Sequence, residues 1–142
     1  MQLVKTNATK FLKFMAIIFL GGLTFVSCKK DHVDQPAALS VEGVYSGKYG
    51  FGNDVPTEDQ KYNIKAGGVF QEIGTNSGTV VGQGTWQMNG NTLTATYSIV
   101  WSPFSTYSIS ATFDPATGKL TGTWGNDNNS SDGGKIDMSK QQ

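Results

Sequence analysis

The sequence predicts an all-β domain, an eight-stranded up-and-down antiparallel β-barrel, and three observations carry that reading. From Ser40 onward apolar and polar residues alternate with a period of two, short Gly-, Asn-, Asp- and Pro-containing links punctuate the alternation, and one five-residue pattern recurs along the chain. The clearest alternations are Tyr62, Ile64, Ala66; Leu93, Ala95, Tyr97, Ile99; and Tyr107, Ile109, Ala111, Phe113, each set against Lys, Asn, Thr or Ser. Strands are expected near 41–51, 60–66, 69–73, 79–88, 92–101, 105–113, 119–125 and 134–139. The links are Gly67-Gly68, Asn89-Gly90, Asp114 to Gly118 and the longer run Asn126 to Gly133. Short links make successive strands neighbours, and closure leaves no unpaired edge, so a barrel is preferred over the alternative, a β-sandwich. Outward Thr, Ser and Lys exclude a lipid-facing barrel, which needs an apolar outer band.

The recurring pattern is apolar or Gly, polar, small, any residue, aromatic. It reads Val41 to Tyr45, Gly82 to Trp86, Leu93 to Tyr97, Ile109 to Phe113 and Leu120 to Trp124. A two-residue turn at Asn89-Gly90 predicts Gly84 opposite Ala95 and Trp86 opposite Leu93. A hairpin centred on Pro103 puts Ala95 opposite Ala111, and a loop from Pro115 to Gly118 puts Ala111 opposite Gly122 and Phe113 opposite Leu120. Gly84, Ala95, Ala111 and Gly122 would then form one layer of small residues, leaving volume that rings or a ligand must fill. Tyr45, Tyr62, Trp86, Tyr97 and Trp124 are the candidate ligand-binding residues, because concave sites combine aromatic walls with a few polar tips. The same rings are also ordinary core fillers.

The first 27 residues are an expected export signal. Lys5, Lys10 and Lys13 precede Phe14 to Val26, a 13-residue and largely apolar stretch. That length is short of the ~20 apolar residues a membrane-spanning helix requires. The stretch closes on Phe25-Val26-Ser27-Cys28, which resembles the lipobox of bacterial lipoproteins. The resemblance implies that Cys28 is lipidated and becomes the new N-terminus, two acyl chains being enough for stable anchoring. Residues 28–39 are charged and contain Pro36, so they are expected to form a flexible tether, with the β-barrel domain at 40–142.

Charge and residue inventory exclude several function classes. After residue 27 there remain eight lysines against 11 acids and no arginine, a net charge of −3, which is a poor match for nucleic acid. The barrel contains no Cys, His or Arg, so neither a catalytic triad nor a histidine-based metal site can be built within it. His32 sits in the tether beside Asp31 and Asp34 and is read as solvated. Of the carboxylates, Asp54, Glu58 and Asp59 cluster in one loop and Glu72 stands apart. The Asn126 to Gly133 run offers oxygen donors but lacks the central Gly and terminal Glu of a calcium loop, so it is read as a turn. The expectation is a non-enzyme with no metal and no cofactor.

The pattern as a whole resembles the calycin group of lipocalin-like and avidin-like barrels, and in particular small lipocalin-like lipoproteins of the Bacteroidota. Gly84-Thr85-Trp86 and Gly122-Thr123-Trp124 are similar to the Gly-x-Trp of these barrels, while the first strand carries Gly43-Val44-Tyr45 where lipocalins carry that motif. The resemblance implies a cell-envelope, outer-membrane lipoprotein, facing the periplasm or exposed at the surface. Its partners would be the membrane, through Cys28, and a small apolar or glycan-like ligand. The alternative is a packed barrel that docks a protein as a structural or protease-inhibitor module. Oligomeric state is left open.

Overall fold

Residues 37–142 are described by a computed structural model; the export signal, Cys28 and the tether up to residue 36 lie outside the described residues. Eight strands follow one another in chain order: β1 (Gly43–Tyr49), β2 (Glu58–Lys65), β3 (Val69–Ile73), β4 (Val80–Asn89), β5 (Thr92–Ile99), β6 (Ser102–Asp114), β7 (Lys119–Asn126) and β8 (Gly134–Lys140). A single 3-10 turn, Ala66–Gly68, links β2 to β3. Every strand pairs antiparallel with its chain neighbours, and β8 returns to β1 with Tyr49 opposite Ile136 and Tyr45 opposite Lys140. This closes the barrel and disposes of the sandwich alternative, in which those two strands would not meet.

Inward positions carry the core: Tyr45, Tyr62, Ile64, Phe70, Leu93, Ile109, Phe113, Leu120, Ile136 and Met138 are buried. Each such Leu, Ile or Phe contributes ~1.5–3 kcal/mol relative to exposure. Outward positions are polar and pair across strands, as in the run Asn63, Gln71, Gln83, joined by side-chain amide hydrogen bonds of 3.5 and 3.3 Å. No helix among the described residues is long and apolar enough to cross a membrane.

The β6–β7 register is as the sequence predicts, with Ala111 opposite Gly122 and Phe113 opposite Leu120. Two other registers differ. The β4–β5 loop is Gly90-Asn91, not Asn89-Gly90, so Trp86 faces Ala95 and Gly84 faces Tyr97. Gly90 alone of the pair takes a positive φ, +59°, which matches the glycine-first order of a type II′ loop. Between β5 and β6 the tip is Val100-Trp101, and pairing skips from Ile99–Ser102 to Ser98–Thr106. Pro103 has no N–H to give the ladder, and the skipped residues bulge out.

These shifts dissolve the expected layer of four small residues. Ala111 and Gly122 are opposed, but Ala95 lies between Trp86 and Ile109. The inward glycines have a different purpose. A Cβ on Gly47, Gly84 or Gly122 would collide with the backbone carbonyl of Asp137, Thr96 or Ser110 on the neighbouring strand. They let adjacent backbones approach where a small barrel must bend.

The two ends of the barrel are unlike. At one end Tyr45 Oη donates to Val41 O at 2.7 Å, Trp86 Nε1 donates to Lys65 O at 2.9 Å, and Val41 and Met88 pack on the core. The chain also enters and leaves here: Leu39 N–H donates to Pro115 O and Gln141 N–H to Val44 O. The opposite end, reached by the C-termini of the odd-numbered strands, is open.

Candidate functional site

The open end is built from the last inward positions of the strands that reach it. Tyr49 closes β1 and Phe51 follows in the next loop; Gln60 and Tyr62 start β2; Glu72 ends β3; Tyr97 and Ile99 end β5; Tyr107 lies in the first half of β6; Trp124 stands near the end of β7. Together they line a cavity of about 220 Å3. At ~30 Å3 per water that is room for roughly seven waters, so a ligand would be smaller than drug-sized.

Aromatic contacts make the wall continuous. Tyr49, Phe51 and Trp124 form a mutual edge-to-face triad with ring centroids 5.5 to 5.8 Å apart. Tyr107 bridges Trp124, at 6.1 Å, to Tyr97, at 5.6 Å, and Tyr97 in turn touches Tyr62 and Phe70. The Trp124 indole is fixed by its N–H, which donates to Gly50 O at 2.9 Å. Such pairs contribute ~0.5–1.5 kcal/mol each beyond area burial, so the cup is held open by its own rings.

Polar groups converge on one side of this wall. Tyr62 and Glu72 are direct cross-strand neighbours, and Gly82 lies opposite Glu72 on the other flank. A Cβ on Gly82 would stand 2.8 Å from Tyr97 Cδ2 and 3.2 Å from Glu72 Cβ, so glycine is what lets the phenol and the acid share the space. Gln60 Nε2 donates to Glu72 Oε1 at 3.2 Å. Burial holds the Glu72 carboxyl above the ordinary carboxylate range, offset in part by hydrogen bonding from Gln60 and Tyr97. Burial likewise pushes the Tyr62 and Tyr97 phenols up, and the neighbouring Glu72 charge adds to it.

Of the five residues expected from sequence to bind a ligand, Tyr62, Tyr97 and Trp124 meet in this cavity. The other two do not reach it. Tyr45 is a core residue, bonded to Val41 O, and its burial raises the phenol to about 12. Trp86 sits at the closed end, beside a separate hollow bordered by Thr85, Gln87 and Thr94. Both point inward, but from positions at or below mid-barrel. Sequence reasoning missed Tyr49, Phe51, Gln60, Ile99 and Tyr107 as wall residues and treated Glu72 only as an isolated acid; strand direction combined with inward parity would have placed most of them at the mouth.

In the β7–β8 loop, the Asp132 carboxylate accepts the Asn126 backbone N–H at 2.7 Å and its side-chain amide at 3.4 Å. Both bonds are accepted by Oδ1, which ties the carboxylate to the turn, and no cluster of metal-ligating side chains occurs among the described residues. The chain matches no family model, no curated protein and no solved structure.

Proposed function

We propose that this chain is a lipid-anchored, lipocalin-like barrel of the cell envelope that binds a small, partly apolar molecule in its open end without transforming it. One observation carries the binding half: a closed barrel whose one end is filled by side chains and whose other end is an aromatic cup with a few converging polar groups. The anchoring half rests on the Phe14 to Cys28 sequence and its likeness to lipobox signals. The absence of Cys, His and Arg from the barrel sequence supports a non-catalytic role, and the net charge of −3 after residue 27 argues against nucleic acid. Native mass spectrometry of the full chain, purified from its source without denaturation, is the test. A reproducible adduct that is released on activation, and is absent from the Trp124→Ala protein, is the expected result. A clean unliganded mass would count against it.

A second reading, docking of a protein, is favoured by the β5–β6 tip, where Val100, Trp101 and Phe104 are 54%, 69% and 95% exposed. Loss of a co-purifying protein from a Trp101→Ser, Phe104→Ser double variant, with the mouth unchanged, would carry that reading instead.

A further inference from the structure

Among the described residues, Glu72 is the one acid on the cavity wall, and no lysine lines it. The ion pairs among the described residues, Lys48–Asp59 and Lys119–Asp137, are solvent-exposed and involve other acids. Among the described residues Glu72 therefore stands in a part-buried recess of mixed aromatic and polar lining, with an amide and two phenols for company and no cationic partner. A carboxylate in that setting is costly, and the cost falls when a positive charge is brought beside it. The rest of the wall is suited to the same charge, because the π-faces of Trp and Tyr attract an ammonium within ~6 Å of the ring centroid.

We infer that the cavity takes a small organic cation, a protonated or quaternary amine, seated between Glu72 and the rings of Tyr97, Tyr107 and Trp124. The inference rests on the small-molecule reading of the cavity and narrows it. The apolar body of the ligand lies toward Tyr49 and Phe51 at the rim. Anions are disfavoured by Glu72, and neutral sugars would leave its charge unmatched.

The test titrates the full chain by calorimetry with two matched pairs of probes: choline against 3,3-dimethylbutan-1-ol, and butylammonium against 1-butanol. Each cation is expected to bind at least about tenfold more tightly than its neutral partner, and Glu72→Gln is expected to cut that ratio at least about threefold, the remainder being carried by the ring faces; an undiminished ratio in a folded variant would overturn the role of Glu72. A cooperative thermal melt shows that the variant is folded; if it is not, the ratio in the unaltered protein decides alone. Equal binding of cation and alcohol would overturn the cation and leave the cavity reading standing. No binding of either cation would also overturn it, and the adduct measurement above would then judge the cavity separately.

Discussion

The tripeptide Gly-Thr-Trp occurs twice, at 84–86 on β4 and at 122–124 on β7, and the two copies do opposite things. Locally they are alike. Each glycine lies where a Cβ would strike a neighbouring strand's carbonyl, on β5 for Gly84 and on β6 for Gly122, and each indole N–H donates to a backbone carbonyl at 2.9 Å. Because β4 and β7 run in opposite directions, however, Trp86 is carried to the closed end and Trp124 to the mouth. Trp86 lies over a filled interior, bonded to Lys65 O at the start of the β2–β3 turn. Trp124 is braced by Tyr49, Phe51 and Tyr107 and borders a void. One local structure thus serves as a stopper or as a wall, according to strand direction.

The comparison breaks most severely at the glycines they share. Gly84→Val and Gly122→Val should each cost ~3 kcal/mol or more, since the obstructing atoms are backbone and cannot swing aside. Urea midpoints like those of the unaltered chain would end the claim that these positions set the bend. At the tryptophans the two ends should separate. Trp124→Ala should cost about 3 kcal/mol, from a braced ring and three lost aromatic pairs, and should abolish ligand binding. Trp86→Ala should cost less than Trp124→Ala, because its partly buried ring makes no aromatic pair among the described residues, and should leave binding intact. Equal effects of the two variants on affinity would erase the distinction between stopper and wall.

The smallest expected effect has the opposite sign. Burial raises the Glu72 carboxyl in the native state above the ordinary value of 4.5, so the native protein holds this proton more tightly than the unfolded chain. The stability this group contributes is complete below 4.5 and is lost as pH climbs through the raised native value. Glutamine does not titrate. Without ligand, Glu72→Gln should therefore melt a few degrees higher than the unaltered chain at neutral pH, with the gap closing in acid. A lower melting temperature at neutral pH would show that the carboxylate is stabilising in place and has no need of an outside cation.

Strand number, strand order and facing were all legible in the sequence, because a two-residue period sustained over eight segments leaves little choice of which side chains go inside. Register was legible only where the turn was unambiguous. Asp114 to Gly118 fixed β6 against β7, whereas Asn89-Gly90-Asn91 admits two turn placements that differ by two residues in pairing and leave every facing unchanged. The same degeneracy limited the site. Parity showed that Tyr45, Tyr62, Trp86, Tyr97 and Trp124 all turn inward, but only height along the barrel sorts mouth from floor. From sequence Glu72 reads only as an acid standing apart; parity with Phe70, two positions earlier, would have turned it inward, but its meaning depended on Gly82 and Tyr97 arriving from other strands.

The seam between β1 and β8 has a mechanical consequence. Residues 39 and 141 leave the barrel at the same end, on antiparallel neighbours whose ladder begins at Tyr45–Lys140 and finishes at Tyr49–Ile136. Tension applied between those points loads the seam one hydrogen bond at a time, in the manner of a zip. The barrel is thereby weakest under pulling along the line that closes it, and the pair beside the mouth is the last to part.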